Sequence, residues 1–398
     1  MKKLYQAVYL IFITGFIYPA DTAAQQSMQQ LIDDNYQFAA SQYKVLMKNL
    51  PADRMPKTFY ADQNKLETSD TKWWCSGFYP GSLLYIYEYT KDAVILEEAK
   101  KRLSILEKEK HYTGNHDLGF MIFCSFGNAY RILGNPEYKT TVDTAAASLS
   151  TRYRPSIKCI QSWDSSKNFR CPVIIDNMMN LELLNWVTDN GGDKKYKEIA
   201  ITHANTTLKN HFRPDHSSYH VLDYDLKTGT VSRKKTAQGY ADESAWARGQ
   251  SWGFYGYTVM YRFTKDQRYL NQAKSIASFI LNHPNLPADG IPYWDFNAPD
   301  IPKTYRDASA GAVLASGLLE LAQYVKKKEQ KKYIAAAEKI LRSLSSDAYR
   351  AKWGTNGGFL LMHSIGSLPA RSEVDVPLTY ADYYFLEALK RYKDWYLK

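Results

Sequence analysis

The stretch at residues 239–252 gathers side chains that are well suited to chemistry. It reads Gly-Tyr-Ala-Asp-Glu-Ser-Ala-Trp-Ala-Arg-Gly-Gln-Ser-Trp and places Trp246, Arg248, Gln250 and Trp252 at the entry of one predicted helix. Ordering Trp and Arg side chains costs rotamer entropy or desolvation, so such a cluster indicates a ligand. Indole faces suit the C–H face of a sugar ring, and a planar guanidinium suits a carboxylate. The alternative is an ordinary helix start with core Trp residues.

Acidic residues stand at the entries of several other predicted helices. His116 and Asp117 precede one helix, Asp176 and Asn177 a second, and Asp307 a third. Aspartate is a favoured helix N-cap, worth about 1 kcal/mol, and we interpret Asp307 as a cap. Asp117 and Asp176 differ because further hydrogen-bonding groups crowd them. These two carboxyls are therefore the candidates for acid–base chemistry.

The chain is predicted to be all-α. Apolar residues recur at three- and four-residue spacing in many windows, and sustained alternation is rare. The pattern predicts twelve helices, near residues 27–49, 80–90, 92–109, 118–133, 136–150, 178–190, 193–210, 246–263, 265–282, 308–325, 328–345 and 380–396.

These helices come in pairs. The first member is nearly all apolar, which indicates burial, and the second is rich in Lys and Glu, which indicates an outer helix. Six such pairs predict an (α/α)6 barrel, a six-hairpin toroid. An open superhelix of helix pairs is the alternative, although no strict repeat period is present. In a toroid the inner-helix N-termini meet at one end, so their polar residues would converge on a single cavity.

Composition favours an acidic partner. The formal net charge is +10, which suits an anionic polysaccharide, a nucleic acid or an acidic membrane surface. The basic residues form no block of five or more, so the charge is spread over the surface. Tyr (32) and Trp (9) are abundant, and their apolar bodies with polar tips suit a wet groove.

The N-terminus resembles a secretory signal. Lys2 and Lys3 precede a short apolar run at residues 10–17, and small residues at 22–24 provide a cleavage point. The run is too short to span a bilayer. We therefore expect a signal peptide at residues 1–24, a single catalytic domain at 25–398, and export to the periplasm or the exterior without membrane insertion.

The cysteines and histidines predict no metal site. No Cys pair has C-x-x-C spacing, and the His residues are dispersed. Export would permit disulfides, and Cys159 and Cys171 flank a loop-like stretch that a disulfide could close. Cys75 and Cys124 lie in apolar contexts and are interpreted as buried thiols.

From about residue 74 to the C-terminus, the chain resembles the unsaturated glucuronyl hydrolases, glycoside hydrolase family 88. No single segment decides the resemblance, but the ordered set is specific. The matching segments begin at Ser76, His116, Asp176, Gln238, Trp246, Pro292, Arg306 and Asp375, the last continuing at Asp382. The family fold is an (α/α)6 barrel, in agreement with the helix pairs.

The resemblance implies an unusual reaction. Polysaccharide lyases leave a 4,5-unsaturated uronate at the non-reducing end of their products, and family members hydrate that double bond. A carboxylic acid protonates C4, water adds at C5, and the hemiketal opens with loss of the glycosidic link. Asp176 matches the general acid/base and Asp117 its partner carboxylate. No cofactor is implied.

Further residues are assigned to substrate binding through the resemblance. The positions that match sugar contacts are His116, His220, Gln238, Arg248 and Trp252. Arg248 is the candidate for the substrate carboxylate, and Trp74 and Trp163 are candidate stacking walls. The alternative for His220 is a surface residue in the hairpin-like stretch 217–225.

The loop at residues 363–374 is expected to border the second sugar. It contains Ser364, Ser367 and Arg371, which could meet a sulfate. Its match to the family is looser than that of the inner-helix entries.

Three functions remain open from the sequence. The first is an exported hydrolase of unsaturated glycosaminoglycan disaccharides, which are acidic, with or without sulfate. The second is a hydrolase of unsaturated rhamnogalacturonyl disaccharides on the same barrel, and the third is a non-catalytic sugar-binding barrel. No nucleic-acid partner is expected. The second sugar (chondroitin, hyaluronan or heparan type) and the oligomeric state stay open.

Overall fold

A computed structural model describes residues 26–397 of the chain. The predicted signal peptide at 1–24 lies outside the described residues. The helices are α1 (Met28–Asn49), α2 (Phe78–Thr90), α3 (Ala93–Leu106), α4 (Asn128–Leu133), α5 (Pro136–Ser150), α6 (Asn177–Asp189), α7 (Lys194–Asn210), α8 (Ala247–Thr264), α9 (Gln267–Asn282), α10 (Ala308–Leu321), α11 (Lys327–Leu344) and α12 (Thr379–Tyr396). A π-helical segment, Gly119–Gly127, leads directly into α4.

The inner helices close a ring. In order around the ring they are α2, the π-helical segment with α4, α6, α8, α10 and α12, and α12 returns to contact α2. Helices α3, α5, α7, α9 and α11 each pack outside the inner helix that precedes them, and α1 packs on α2 and α12. The predicted (α/α)6 barrel is confirmed, and the open superhelix is wrong because first and last helices meet.

Burial explains the two layers. Every residue of the inner helix α10, Ala308–Leu321, is buried. In the outer helix α11 the buried residues recur at three- and four-residue spacing: Tyr333, Ala337, Ile340, Leu341 and Leu344. A helix that is apolar all round must lie inside, whereas one with a single apolar stripe covers it.

Short antiparallel strands occupy the connections between helices. They are β1 (Met55–Tyr60), β2 (Lys65–Ser69), β3 (Tyr153–Arg154), β4 (Cys159–Ile160), β5 (Pro172–Ile174), β6 (Val221–Tyr224), β7 (Val231–Lys235), β8 (Ser364–Ser367) and β9 (Ser372–Val376). They form the sheets β1–β2, β3–β4, β5–β6–β7 and β8–β9. The expected loop at 363–374 is therefore largely a β-hairpin.

All four cysteines are free. Cys159 and Cys171 share a small apolar cluster with Leu222 and Tyr224, and burial raises their thiol pKa values to about 12 and about 11. The considered disulfide is therefore not formed. Cys75 is buried as expected, whereas Cys124 is only partly buried. Within residues 26–397, no helix is long and apolar enough to cross a bilayer.

Candidate active site

A cavity of about 210 Å³ opens at the end of the barrel where the inner helices begin. Its lining contains seven of the predicted site residues: Trp74, His116, Asp117, Trp163, Asp176, Gln238 and Arg248. The lining is completed by Asn115, Ser162 and Ile174. The structure therefore brings together residues that lie far apart in the chain, as the toroid predicts.

Asp176 occupies the N-cap position of α6 but does not cap the helix. Its side chain accepts no hydrogen bond from the first turn, and its Oδ2 atom has no partner at all. Burial raises the pKa of this carboxyl to about 7, although the positive charge of Arg248 opposes the shift. An acid with this pKa is partly protonated at neutral pH, as proton donation requires.

Asp117 lies immediately before the π-helical segment. Its backbone N–H donates to Asn115 Oδ1 at 2.9 Å, and its carboxyl is buried in the cavity wall. Burial raises the pKa of Asp117 well above its usual value, and the charge of Asp176 raises it further, while Arg152 lowers it. The charge of Asp176 thus opposes the ionisation of Asp117, as expected of two carboxyls in one buried site.

Two neutral histidines accompany this carboxyl pair. Burial lowers the pKa of both His116 and His220 to about 3. His116 Nε2 lies 3.3 Å from Asp117 Oδ1, and His220 Nε2 lies 3.8 Å from Asp176 Oδ2. The second distance exceeds a hydrogen bond, so Nε2 and Oδ2 remain free.

Backbone contacts fix the tautomer of His220. Its Nδ1 atom accepts the backbone N–H groups of Ala237 and Gln238 at 3.1 and 3.2 Å. A neutral imidazole with Nδ1 as acceptor carries its proton on Nε2, on the side of Asp176. The ring also packs on Trp246, with centroids 4.5 Å apart. His220 is thus buried beside Asp176 and is not a surface residue, although it is not among the residues that line the cavity.

The π-helical segment and α6 approach each other unusually closely behind the carboxyls. A Cβ atom on Gly119 would lie 2.6 Å from Asn180 Cα, so glycine is required there. Asn180 Oδ1 accepts the N–H of Phe120 at 3.0 Å, which fastens the segment after Asp117 to the helix after Asp176. The contact fixes the two carboxyl-bearing elements relative to each other. π-Helical turns frequently occur at functional sites.

Arg248 is only partly available to a ligand. Its Nη1 donates to Asp307 Oδ2 at 3.0 Å and to the carbonyl of Ile365, and its Nη2 donates to the carbonyl of Gly366 at 2.8 Å. Guanidinium has five N–H donors, and its Nε has no partner. Three of the five N–H groups thus already hold Asp307 and the β8–β9 hairpin. The Nε–H and the second Nη2–H are left for the predicted contact with a substrate carboxylate.

The three predicted Trp contacts have different positions. Trp74 and Trp163 are half-buried and line the cavity, as stacking walls would. Trp252 is fully buried, and its ring centroid lies 5.1 Å from Phe120 and 5.3 Å from Tyr384. The structure therefore places Trp252 in the aromatic core rather than at the cavity, because it lies one helical turn after Arg248 on the same face of α8 and so deeper in the barrel.

The β8–β9 hairpin borders the cavity through its backbone. Gln238 Nε2 donates to the carbonyl of Gly366 at 2.9 Å and ties the hairpin to the cavity lining. Ser364 is buried with an unpartnered Oγ, Ser367 is half-buried, and Arg371 is exposed. These three side chains do not line the cavity. They lie on the hairpin, which is next to the cavity.

Comparison with known proteins identifies the family. Residues 51–395 match the profile of Glycosyl Hydrolase Family 88. The chain belongs to this family. An unsaturated glucuronyl hydrolase of Formosa agariphila is 42% identical over 407 aligned residues that cover 100% of both proteins. An unsaturated chondroitin disaccharide hydrolase of Streptococcus pneumoniae is 36% identical, covering 86% of this chain and 87% of its own.

Solved structures agree with the assignment. An unsaturated glucuronyl hydrolase specific for heparin superposes with a TM-score of 0.88 and 45% identity, covering 92% of this chain and 97% of its own. A mutant of the Streptococcus agalactiae enzyme complexed with dGlcA-GalNAc6S superposes with a TM-score of 0.79 and 31% identity, covering 93% of each chain. This family 88 protein is therefore a glycoside hydrolase on an (α/α)6 barrel.

Several residues of this family 88 site were missed in the sequence. Asn115, Ser162 and Ile174 line the cavity from connections between helices, where no periodic pattern singles them out. Arg152, whose charge lowers the pKa of Asp117, was also missed because it lies just past the outer helix α5, far from any inner-helix entry. Asn115 stands two residues before Asp117, and that spacing is typical of a side chain that bonds a nearby backbone N–H.

The arrangement is suited to acid–base chemistry on a sugar. It provides two buried carboxyls with raised pKa values, two neutral imidazoles and indole walls. Within the part of the chain that the structure describes, no group of three or more His, Cys, Asp or Glu side chains could hold a metal ion. Asp307 caps α10 as predicted, since its Oδ1 accepts the N–H groups of Ser309 and Ala310.

Proposed function

We propose that this protein removes the 4,5-unsaturated uronate from the non-reducing end of lyase-generated glycosaminoglycan disaccharides. The observation that carries the proposal is Asp176, a cavity-lining carboxyl whose pKa burial raises to about 7 and whose buried Oδ2 has no hydrogen-bond partner. The names of the similar proteins support the substrate class. A pure sugar-binding protein would have little use for a mutually repelling carboxyl pair.

In the proposed reaction Asp176 gives its proton to C4 of the unsaturated uronate. The oxygen of a water molecule bonds to C5, and the proton lost by that water returns to the carboxyl pair. The hemiketal at C5 then opens: its hydroxyl becomes a ketone, the bond from C5 to the ring oxygen breaks, and the ring oxygen takes the proton. This leaves a hemiacetal at C1, which collapses to an aldehyde and releases the second sugar with the proton on its oxygen. The rule that relates carboxyl separation to stereochemistry does not apply, because the anomeric carbon is not attacked.

Asp117 has a supporting role in this account. Burial raises the pKa of Asp176 to about 7 even though the adjacent helix N-terminus stabilises anions. A second carboxyl in the same site would oppose ionisation further. His220 presents its Nε2–H toward Asp176, with Nε2 3.8 Å from Oδ2.

For the second sugar we favour a sulfated, heparin-type residue. Two observations support this choice. The heparin-specific structure is more similar to the chain, at 45% identity, than the chondroitin disaccharide hydrolase, at 36%. The hairpin at the cavity edge carries the exposed cation Arg371, and a guanidinium suits a sulfate.

Export is also part of the proposal. The charged start, short apolar run and small residues of positions 1–24 support a signal peptide. A periplasmic or extracellular hydrolase would meet lyase products where polysaccharides are cleaved. N-terminal sequencing of the protein from its native host, separated into cell fractions, tests this.

The experiment that tests the function is loss of the ultraviolet absorbance of the unsaturated uronate. The panel contains unsaturated heparin, chondroitin and hyaluronan disaccharides, sulfated and unsulfated, and an unsaturated rhamnogalacturonyl disaccharide. We expect turnover of the glycosaminoglycan members, fastest for sulfated heparin. Turnover of the rhamnogalacturonyl member alone, or binding without turnover, would contradict the proposal.

A further inference from the structure

Arg152 is a buried arginine between α5 and β3 that joins two segments of the cavity wall. Only 3% of its side chain is exposed. Its Nε donates to the carbonyl of Gln161 at 2.8 Å, its Nη1 to the carbonyl of Thr113 at 2.5 Å, and its Nη2 to Asp164 Oδ1 at 3.1 Å. The guanidinium therefore bridges segment 113–117 and segment 161–164.

These two segments carry half of the cavity lining. Five of the ten lining residues come from them: Asn115, His116, Asp117, Ser162 and Trp163. Backbone contacts between the segments are few: the N–H of His116 donates to the carbonyl of Ser162 at 3.0 Å, and an isolated bridge pairs Asn115 with Trp163. Because so few backbone bonds join the two segments, their relative position depends on the Arg152 side chain that bridges them.

The charge of Arg152 is also poorly neutralised. Its carboxylate partner Asp164 is 77% exposed, and solvent screens such a pair. The positive charge therefore acts on the buried side of the guanidinium, where Asp117 and His116 lie, and it lowers the pKa of both groups. A buried cation without a buried counter-ion is expensive, which indicates a function.

We propose that Arg152 is a positioning residue of the carboxyl pair, holding the two wall segments together and setting its charge behind Asp117. The inference rests on the proposed function and deepens it. Arg152 does not contact the substrate in this account. It acts through the placement and the ionisation of Asp117.

The test compares Arg152→Gln, Arg152→Lys and Arg154→Gln. Arg154 is a matched control, since it also bonds Gln161, through Oε1 at 2.9 Å, but is half-buried and directed elsewhere. In Arg152→Gln we expect kcat to fall about tenfold and the acid limb of the pH–rate profile to move up by about one unit. Arg152→Lys keeps the charge, so its acid limb stays while kcat falls, because an ammonium cannot replace the planar fork.

The acid limb reports Asp117 in the field of the groups that face it. These are Asp176, the adjacent His116, and Arg152, with Asp164, Arg154 and Tyr112 around the guanidinium. A carboxyl ¹³C titration of Asp117 in the same variants gives the shift without turnover. This separates the inference from the proposed function, because it requires no active enzyme.

Two results would overturn the inference. One is a folded Arg152→Gln protein whose acid limb and Asp117 titration match those of wild type and Arg154→Gln. The other applies if Arg152→Gln does not fold. In that case an Arg152→Lys protein with wild-type kcat would show that the guanidinium of Arg152 does not position the two wall segments.

Discussion

The starts of helices α6 and α12 carry aspartates with the same shifted pKa and different surroundings. Burial raises the pKa of both Asp176 and Asp382 to about 7. Asp382 accepts the N–H groups of Leu360 and Leu361 at 2.9 and 3.0 Å and the hydroxyl of Tyr43 at 3.1 Å. Asp176 Oδ2 accepts nothing.

The comparison shows that a raised pKa does not by itself mark an active site. The bonds to Asp382 hold the segment at 360–361 against α12, so its carboxyl is already fully used. Asp176 lines a cavity, and its unbonded Oδ2 lies 3.8 Å from Nε2 of the neutral His220. Buried polar groups are normally bonded, so an unbonded one beside a cavity indicates a function.

The largest expected effect is a loss of activity when Asp176, but not Asp382, is replaced by Asn. Asp176→Asn keeps the shape of the side chain but cannot deliver a proton, so kcat should fall by about 10²–10⁴-fold with the fold intact. The rate is measured on unsaturated disaccharide, with circular dichroism as the check of folding. Activity within about threefold of wild type would remove Asp176 from the proposed role.

Asp382→Asn should show the opposite pattern. One amide oxygen cannot accept all the donors that meet the carboxyl, and the amide N–H₂ faces backbone N–H groups. We expect a loss of about 1–3 kcal/mol in the free energy of unfolding, measured by denaturant titration. The folded fraction should keep a kcat near wild type. A kcat loss as large as that of Asp176→Asn, in fully folded protein, would contradict the comparison.

The Asp176 carboxyl is also expected to lower the free energy of unfolding. Its pKa rises from 3.8 to about 7 on folding, so between these values the folded state holds a proton that the unfolded chain has released. Stability from this group is therefore lost as pH rises from about 4 to 7. Asp176→Asn removes the penalty, and at pH 8 it should be more stable by about 1–3 kcal/mol.

The difference between Asp176→Asn and wild type should shrink toward pH 4, where both side chains are uncharged. Denaturant titrations at pH 4, 6 and 8 measure it. A variant that is less stable than wild type at pH 8 would show that the Asp176 carboxylate is stabilised in the folded state.

The sequence contains enough to predict the barrel and most of the cavity. Helical spacing of apolar residues marks all twelve helices, and the closure of a ring brings Asp117, Asp176 and Arg248 to one end. The cap role of Asp307 also follows from its position. In each of these cases local chemistry and global fold point the same way.

What could not be predicted depends on contacts between distant residues. Asp176 and Asp382 both stand at helix starts, and only the return of residues 360–361 distinguishes them. Trp252 shares its helix entry with Arg248, yet its side chain faces the core. The π-helical segment depends on the approach to Asn180, which helical spacing does not reveal.

The most direct test of the central claim is the position of solvent deuterium in the product. If Asp176 protonates C4, turnover in heavy water must place one deuterium at C4 of the released uronate. A fixed carboxyl delivers from one side, so early NMR spectra should show a single C4 configuration. A product without deuterium at C4, observed before any rearrangement, would contradict the hydration mechanism and return Asp117 and Asp176 to attack at the anomeric carbon.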